Sequence, residues 1–444
     1  MSRTRLSRRV LLSSAAAAAL AAGLPSAAQG ADDPVVAWID RRSRAIDTTD
    51  PAAGLDDLEP LRRVVGAAPV VGLGEWSHGS REQFRIKHRM VRFLVERMGF
   101  RTIAFEQDFA HGIEIDRYVR GGDGDAAALV RGMSSPLWAT QEIVDLIEWM
   151  RARNDAHPHR KVRFFGADLL SLRESSFTAM TAYVEAAAPD CLDELTAHLD
   201  PIRPTRPNQI QWYLGLDEET QQSMIADAKA ALALIEELPS EVDAQEREYA
   251  EQHARAVIGW HEYYAVDPGL PRDVREVFIA DAIQWWQRVE GGRTAYWAAN
   301  IHTSAAASTT YATPAETTTF RYAGGHLRHR MGRAYRSIGT VFGEGVVNAQ
   351  YFPVVEVPVG PPPEGLLDAT LGRAKREHYL LDLHADAPEP VRRWREGPVT
   401  TRMIHPDLEA GQDGAQYVMS TDPLIGTFDA IAYLAATGPS TLLD

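Results

Sequence analysis

The chain has 444 residues, 45% of them hydrophobic, with 61 Asp and Glu against 46 Lys and Arg for a formal charge of −15, and a single cysteine. A surface this acidic repels polyanions, which counts against nucleic-acid binding as a main role. Cys191 has no cysteine to pair with, so neither an internal disulfide nor a Cys-rich zinc site is available and stability must come from packing.

Residues 1–30 read as an export signal. Arg3, Arg5, Arg8 and Arg9 precede an apolar run from Val10 to Leu24, and the small residues of Ala28-Gln29-Gly30 close it. Ser7-Arg8-Arg9-Val10-Leu11-Leu12 resembles a twin-arginine signal, of the kind that exports folded protein. The alternative is an uncleaved membrane anchor, but the run is shorter than the roughly 20 residues a spanning helix needs. A secreted or extracytoplasmic protein without stable membrane insertion is therefore expected. Residues 1–30 hold four arginines and no acid, so the remainder carries −19.

From Pro69 onward, short β-rich runs alternate with helical stretches, the rhythm of a parallel sheet with crossover helices. Pro69 to Gly74 is a buried strand candidate. A helix follows over Glu82 to Met98, with Ile86, Met90, Phe93 and Leu94 on one face, and Gly99 ends it. Next come a strand at Arg101 to Phe105, helices at Ile113 to Val119 and Gln141 to Arg153, and a strand at Lys161 to Gly166. Ser171 to Glu290 reads almost wholly as helix, interrupted near Pro201 to Pro204 and Asp267-Pro268-Gly269. Strands return at Thr294 to Ala299, Tyr335 to Phe342 and Phe428 to Leu434. Pro353 to Pro363 is expected to be a surface loop. The expected architecture is α/β: a parallel or mostly parallel sheet with flanking helices and a large helical insertion. Its parts are the signal (1–30), a first core segment (31–170), the insertion (171–290) and a second core segment (291–444).

Four strand candidates end on polar residues: Glu75-Trp76-Ser77-His78, Glu106, Asp168 and Asn300-Ile301-His302. Open parallel sheets bind ligands beyond the carboxyl ends of their strands, so neighbouring strands would gather Glu75, His78, Glu106, Asp168 and His302 in one crevice. A polar residue after a strand is also a common helix cap, and Asp168 fits that bland reading as well. A histidine beside a carboxylate is suited to general-base chemistry. The chain has no Gly-x-Ser-x-Gly elbow, no His-Glu-x-x-His zinc motif and no phosphate-binding Gly-rich loop, which leaves activated water. A metal is the competing chemistry, since Glu-x-x-His also occurs in metal bundles. Here the pair lies at a turn between Gly74 and Gly79, not on one helix face, so neither metal nor cofactor is expected. The acids of the crevice suit a cationic or neutral substrate better than an anion.

Gly74-Glu75-Trp76-Ser77-His78-Gly79 followed by Arg81-Glu82 resembles the GExxHG signature of the erythromycin esterase family. The resemblance continues through Phe105-Glu106, Trp138 to Glu142, Phe165 to Asp168, Val274-Arg275-Glu276, Trp297 to His302, Gly325-His326-Leu327 and Phe428-Asp429. It implies metal-independent hydrolysis of a small-molecule ester, in the type members a macrolide lactone, and hence antibiotic resistance. On these positions it implies His78 as general base, Glu75 and Glu106 as its orienters, His302 as a second acid/base group or substrate contact, and Lys87 as oxyanion stabiliser. A solvated helix face is the bland reading for Lys87. Trp76, Trp138, Asp168, Arg275 and His326 are implied substrate contacts. The family commonly shows His-Asn-x-His where this chain has Ala299-Asn300-Ile301-His302, so the first histidine is missing. Two other readings stay open: a haem- or metal-binding extracytoplasmic protein of the same fold, and a tailoring enzyme of natural-product or exopolysaccharide synthesis.

Overall fold

Strands buried on both faces read as continuous apolar runs, and Val70–Glu75 is buried at all six positions. The computed structural model describes residues 33–238 and 244–444 apart from 266, 268, 405, 410 and 413, so the export signal expected over 1–30 lies outside the described residues. The strands are β1 (Arg44–Ala45), β2 (Val70–Glu75), β3 (Phe100–Asp108), β4 (Arg163–Asp168), β5 (Arg293–Ala299), β6 (Thr309–Ala312), β7 (Thr317–Phe320), β8 (Tyr335–Ala349), β9 (Val355–Val359), β10 (His378–Asp382), β11 (Val399–Arg402), β12 (Val418–Thr421) and β13 (Ala430–Thr437).

The large sheet has the order β1-β10-β13-β8-β2-β5-β3-β4, with β9 attached to β8. From β13 to β4 every pairing is parallel, whereas β10 is antiparallel to both neighbours and β9 is antiparallel to β8. The fold is thus α/β with a mostly parallel mixed sheet, as expected. The contiguous run β2-β5-β3-β4 contains the four strands whose ends carry the polar residues.

Two features depart from the sequence reading. The Pro353 to Pro363 stretch contains β9, which buries Val357 and Val359 on β8. Its Pro358 is tolerated because β9 has a partner on one side only, and an edge position can spare a backbone donor. A second sheet of four antiparallel strands, β11-β12-β6-β7, was not anticipated. Its strands are four residues each, and only the Thr- and aromatic-rich runs Thr309–Ala312 and Thr317–Phe320 hint at it.

The helix Arg81–Met98 begins at Ser80, whose hydroxyl accepts the Gln83 N–H at 3.3 Å, and stops at Gly99 in the left-handed region with φ 76°. Between Glu174 and Val289 the described residues form helices and no strand. Those up to Tyr264 share a core of their own that includes Phe177, Val184, Leu199, Tyr213 and Trp260. The last, Val274–Val289, instead packs Ile279, Ile283 and Trp286 against Phe165, Tyr296 and Ala298 of the sheet. Packed this way, its first turn lies at the carboxyl ends of the strands.

Candidate active site

The turn after β2 carries the first two polar residues. His78 Nδ1 donates to Glu75 Oε1 at 2.9 Å; a carboxylate only accepts, so the Nδ1–H tautomer is set and the Nε2 lone pair faces outward. The turn is tied down on both sides: Ser77 N–H donates to Gln83 Oε1 at 3.2 Å, and Gly79 O accepts from Asn348 N at 3.1 Å and Ser440 N at 3.0 Å. A Cβ on Gly79 would collide with the Asn348 backbone, so the close approach requires glycine.

Lys87, one helical face below, donates to Glu75 Oε2 and to Ala298 O at 3.2 Å, and its ammonium sits 4.2 Å from the centre of the Trp297 ring. It is completely buried. Complete burial pushes its pKa well down, against the pull of Glu106. Lys87 therefore lies beneath Glu75 and does not line the cleft. The oxyanion contact expected of it is corrected to support of the Glu75 carboxylate, and it is not a solvated helix face either.

On β3, Glu106 Oε1 accepts from Arg275 Nη2 at 3.0 Å and lies 3.3 Å from His302 Nε2 and 3.8 Å from His78 Nε2. Its other oxygen accepts the Ala299 N–H at 2.9 Å. Asp168 at the end of β4 holds Arg275 by a fork, Nε to Oδ1 at 2.9 Å and Nη2 to Oδ2 at 2.6 Å. His302, on the short helix Asn300–Thr303 after β5, donates from Nδ1 to Glu276 Oε2 at 2.9 Å. Glu276 also caps the next helix, accepting the Ala323 N–H at 3.0 Å.

The two histidines are driven apart. Burial lowers the His78 pKa, Glu106 opposes, and His302 and Arg275 add to the lowering, so His78 is neutral. Burial also acts on His302, but Glu276 and Glu106 outweigh it together with Arg275 and raise the pKa to about 10. His302 is therefore an imidazolium at neutral pH, donating from both nitrogens, and its 3.3 Å approach to Arg275 Nη1 is two cations gathered on one carboxylate. Burial would raise Glu106, yet the charged His302 and Arg275 hold it well below the usual carboxylate range. A neutral and a charged histidine facing one carboxylate is an arrangement that separates base from acid.

These groups form one end of a cleft of about 910 Å³, a size in the range of small-molecule sites. Of the expected residues, His78, Glu106, His302, Trp76, Trp138 and Arg275 line it. Trp138 meets the His78 ring edge-on at 5.1 Å. Glu75 lies behind His78, and Asp168 is corrected from substrate contact to anchor of Arg275: both are wholly buried and away from the cleft lining. His326 is likewise corrected, because a turn into the helix Ala323–Met331 it points to Asp273 at 3.1 Å and leaves the cleft. Ala299 lines the cleft with a methyl where the family pattern has a histidine. The expected acidity is also reduced, since Glu75, Glu106, Asp168 and Glu276 face Lys87, Arg275 and His302, leaving little charge to attract a cation.

Sequence reasoning gave no role to Glu276, although it stands beside Arg275 in a recognised motif. It also missed the aromatic walls: Tyr263 and Tyr264 from one side, Tyr311 and Phe320 of the small sheet from the other, and Tyr351. Glu75, His78 and Glu106 each place one donor atom within 4.8 Å of the others, the one candidate metal cluster among the described residues. All but one of those donors are already engaged, His78 Nδ1 by Glu75, Glu75 by Lys87, and both Glu106 oxygens by Arg275, His302 and Ala299, which leaves His78 Nε2.

Residues 95–437 match the sequence profile described as erythromycin esterase. Erythromycin esterase type II of Escherichia coli is 32% identical over 134 residues, which are 30% of this chain and 31% of that protein. The chain thus aligns with about a third of the length of that curated relative. Among solved structures, one described as a succinoglycan biosynthesis protein superposes with a TM-score of 0.79 at 26% identity, covering 94% of this chain and all of that one. An erythromycin esterase mutant in its open conformation superposes with a TM-score of 0.70 at 18% identity, covering 91% and 99% of the two chains. The second likeness speaks to the fold.

Proposed function

Because the chain belongs to the erythromycin esterase family, we propose that it is an exported, metal-independent carboxylic ester hydrolase acting on an ester or macrolactone, with His78 activating water. The carrying observation is the neutral His78, oriented by Glu75, with Nε2 3.8 Å from Glu106 Oε1 and the protonated His302 on the far side of the same carboxylate. A water between His78 Nε2 and Glu106 loses a proton to His78 as its oxygen adds to the ester carbonyl. The negative charge that develops on the carbonyl oxygen faces Arg275 and His302, two donors fixed in advance by Asp168 and Glu276. Collapse breaks the C–O bond, His302 protonates the departing alkoxide, and the proton taken up by His78 passes to His302 along Glu106. Acid and alcohol leave, and both histidines regain their starting states.

The engagement of Glu75, Glu106 and His78 Nδ1, with Lys87, Arg275 and His302 around them, favours water activation by a base, for which His78 Nε2 is left, over activation by a metal. The same engagement weighs against the haem reading, since both His302 nitrogens and one His78 nitrogen face carboxylates. A second reading, an ester or acyl group carried on a carbohydrate, is favoured by the 26% identity to the succinoglycan biosynthesis protein.

The test is a panel of macrolides, sugar esters and simple alkyl esters given to the protein, with product masses recorded. His78→Ala is expected to abolish turnover with an unchanged circular dichroism spectrum, and a chelator to have no effect. Full activity of His78→Ala would sink the mechanism, and loss of activity on chelation would restore the metal.

A further inference from the structure

The Phe428-Asp429 motif plays no part in the ester site. Asp429 is completely buried where β13 begins. It accepts from Ser337 N at 2.9 Å, Arg328 Nη2 at 2.6 Å, Arg336 Nη1 at 2.6 Å and His384 Nε2 at 2.9 Å. One carboxylate thus fixes two guanidinium groups and an imidazole. The Nε atoms of Arg328 and Arg336 are buried without a protein partner.

Beside this cluster is a cavity of about 510 Å³ lined by Arg42, Arg63, Arg333, Arg336, Asp382 and His384, with Asp386 on its wall. Arg336 stands at the start of β8, so the cavity opens at the amino ends of the parallel strands, the opposite side of the sheet from the ester cleft. Arg63 is paired with Asp382 at 2.8 Å. Arg42 and Arg333 have no ion-pair or hydrogen-bond partner among the described residues. In and around the cavity, Arg42, Arg63, Arg328, Arg333 and Arg336 outnumber Asp382, Asp386 and Asp429, in a chain whose net charge is −15.

We propose that this cavity binds a small multivalent oxyanion of the phosphate class, at a site separate from the ester cleft. Guanidinium groups present planar forks that match phosphoryl oxygens. The buried Asp429 holds Arg336 and His384 in place before an anion arrives, which lowers the ordering cost of binding. A purely structural cluster needs only the residues around Asp429. Arg42 and Arg333 lie outside that need and are free to close on an anion.

The experiment is isothermal titration of the full chain with inorganic phosphate, pyrophosphate and glucose 1-phosphate, with chloride adjusted to constant ionic strength. Saturable binding of pyrophosphate with a Kd below about 1 mM is expected. The exposed double variant Arg42→Gln/Arg333→Gln is expected to weaken it by about tenfold or more, while Arg393→Gln, an exposed arginine elsewhere, leaves it unchanged. Tighter binding of pyrophosphate than of glucose 1-phosphate assigns the site to free oxyanions, and the reverse assigns it to a phosphorylated small molecule. Absence of saturable heat with all three anions, or equal weakening in Arg393→Gln, would overturn the proposal. Ester hydrolysis by the double variant is expected at the unsubstituted rate.

Discussion

Glutamine at position 276 should discharge His302 without disturbing its position. The amide oxygen of Gln can still accept from His302 Nδ1 and from Ala323 N, the two bonds that Glu276 makes, so only the charge is lost. The interval from the ordinary 6.5 to about 10 corresponds to about 5 kcal/mol in favour of the His302 imidazolium. Glu276 is the nearer of the two carboxylates, at 2.9 Å against 3.3 Å for Glu106, and is the stronger of the two in raising His302, so the larger share, on the order of 2 kcal/mol or more, falls to it. Burial and Arg275 then act against a single acid. The alkaline limb of kcat/KM for an alkyl ester should move down by about 2 pH units or more, and the His302 ring should titrate over the same interval in imidazole ¹H–¹⁵N correlation spectra. Stability changes in the same sense. A raised folded pKa gives stabilisation that is complete below pH 6.5 and is lost as pH rises through about 10, so Glu276→Gln should lose this stabilisation at lower pH than the unsubstituted protein. An unmoved alkaline limb together with an unmoved His302 titration would refute the reasoning.

Lys87→Met should leave Glu75 a buried carboxylate beside a neutral His78 and cost about 3–5 kcal/mol in urea unfolding. The double variant Glu75→Gln/Lys87→Met should recover most of that stability yet not hydrolysis; a loss under about 1 kcal/mol in Lys87→Met would contradict the pairing. Arg8→Lys with Arg9→Lys is expected to retain the protein in the cytoplasm on cell fractionation, and undiminished export would remove the twin-arginine route.

Much of the core was legible because its signals are local. Apolar runs marked β2 to β5, helical periodicity and Gly99 bounded the helix Arg81–Met98, and the polar strand ends named Glu75, His78, Glu106 and His302. What those ends do together was not local. The order β2-β5-β3-β4 makes them neighbours, and the contacts that hold the site span 107 residues from Asp168 to Arg275 and 193 from Glu106 to Ala299. Lys87 stands among Arg85, Arg89 and Arg92 on a basic helix, and only packing against β5 shows that it faces inward to Glu75. Residue type and position just past a strand placed both histidines near the chemistry. Which is neutral and which charged was decided by tertiary structure, because protonation depends on burial and on the sum of charges within a few ångströms, and those charges, Glu106, Arg275 with Glu276, and His302, come from three separate segments of the chain.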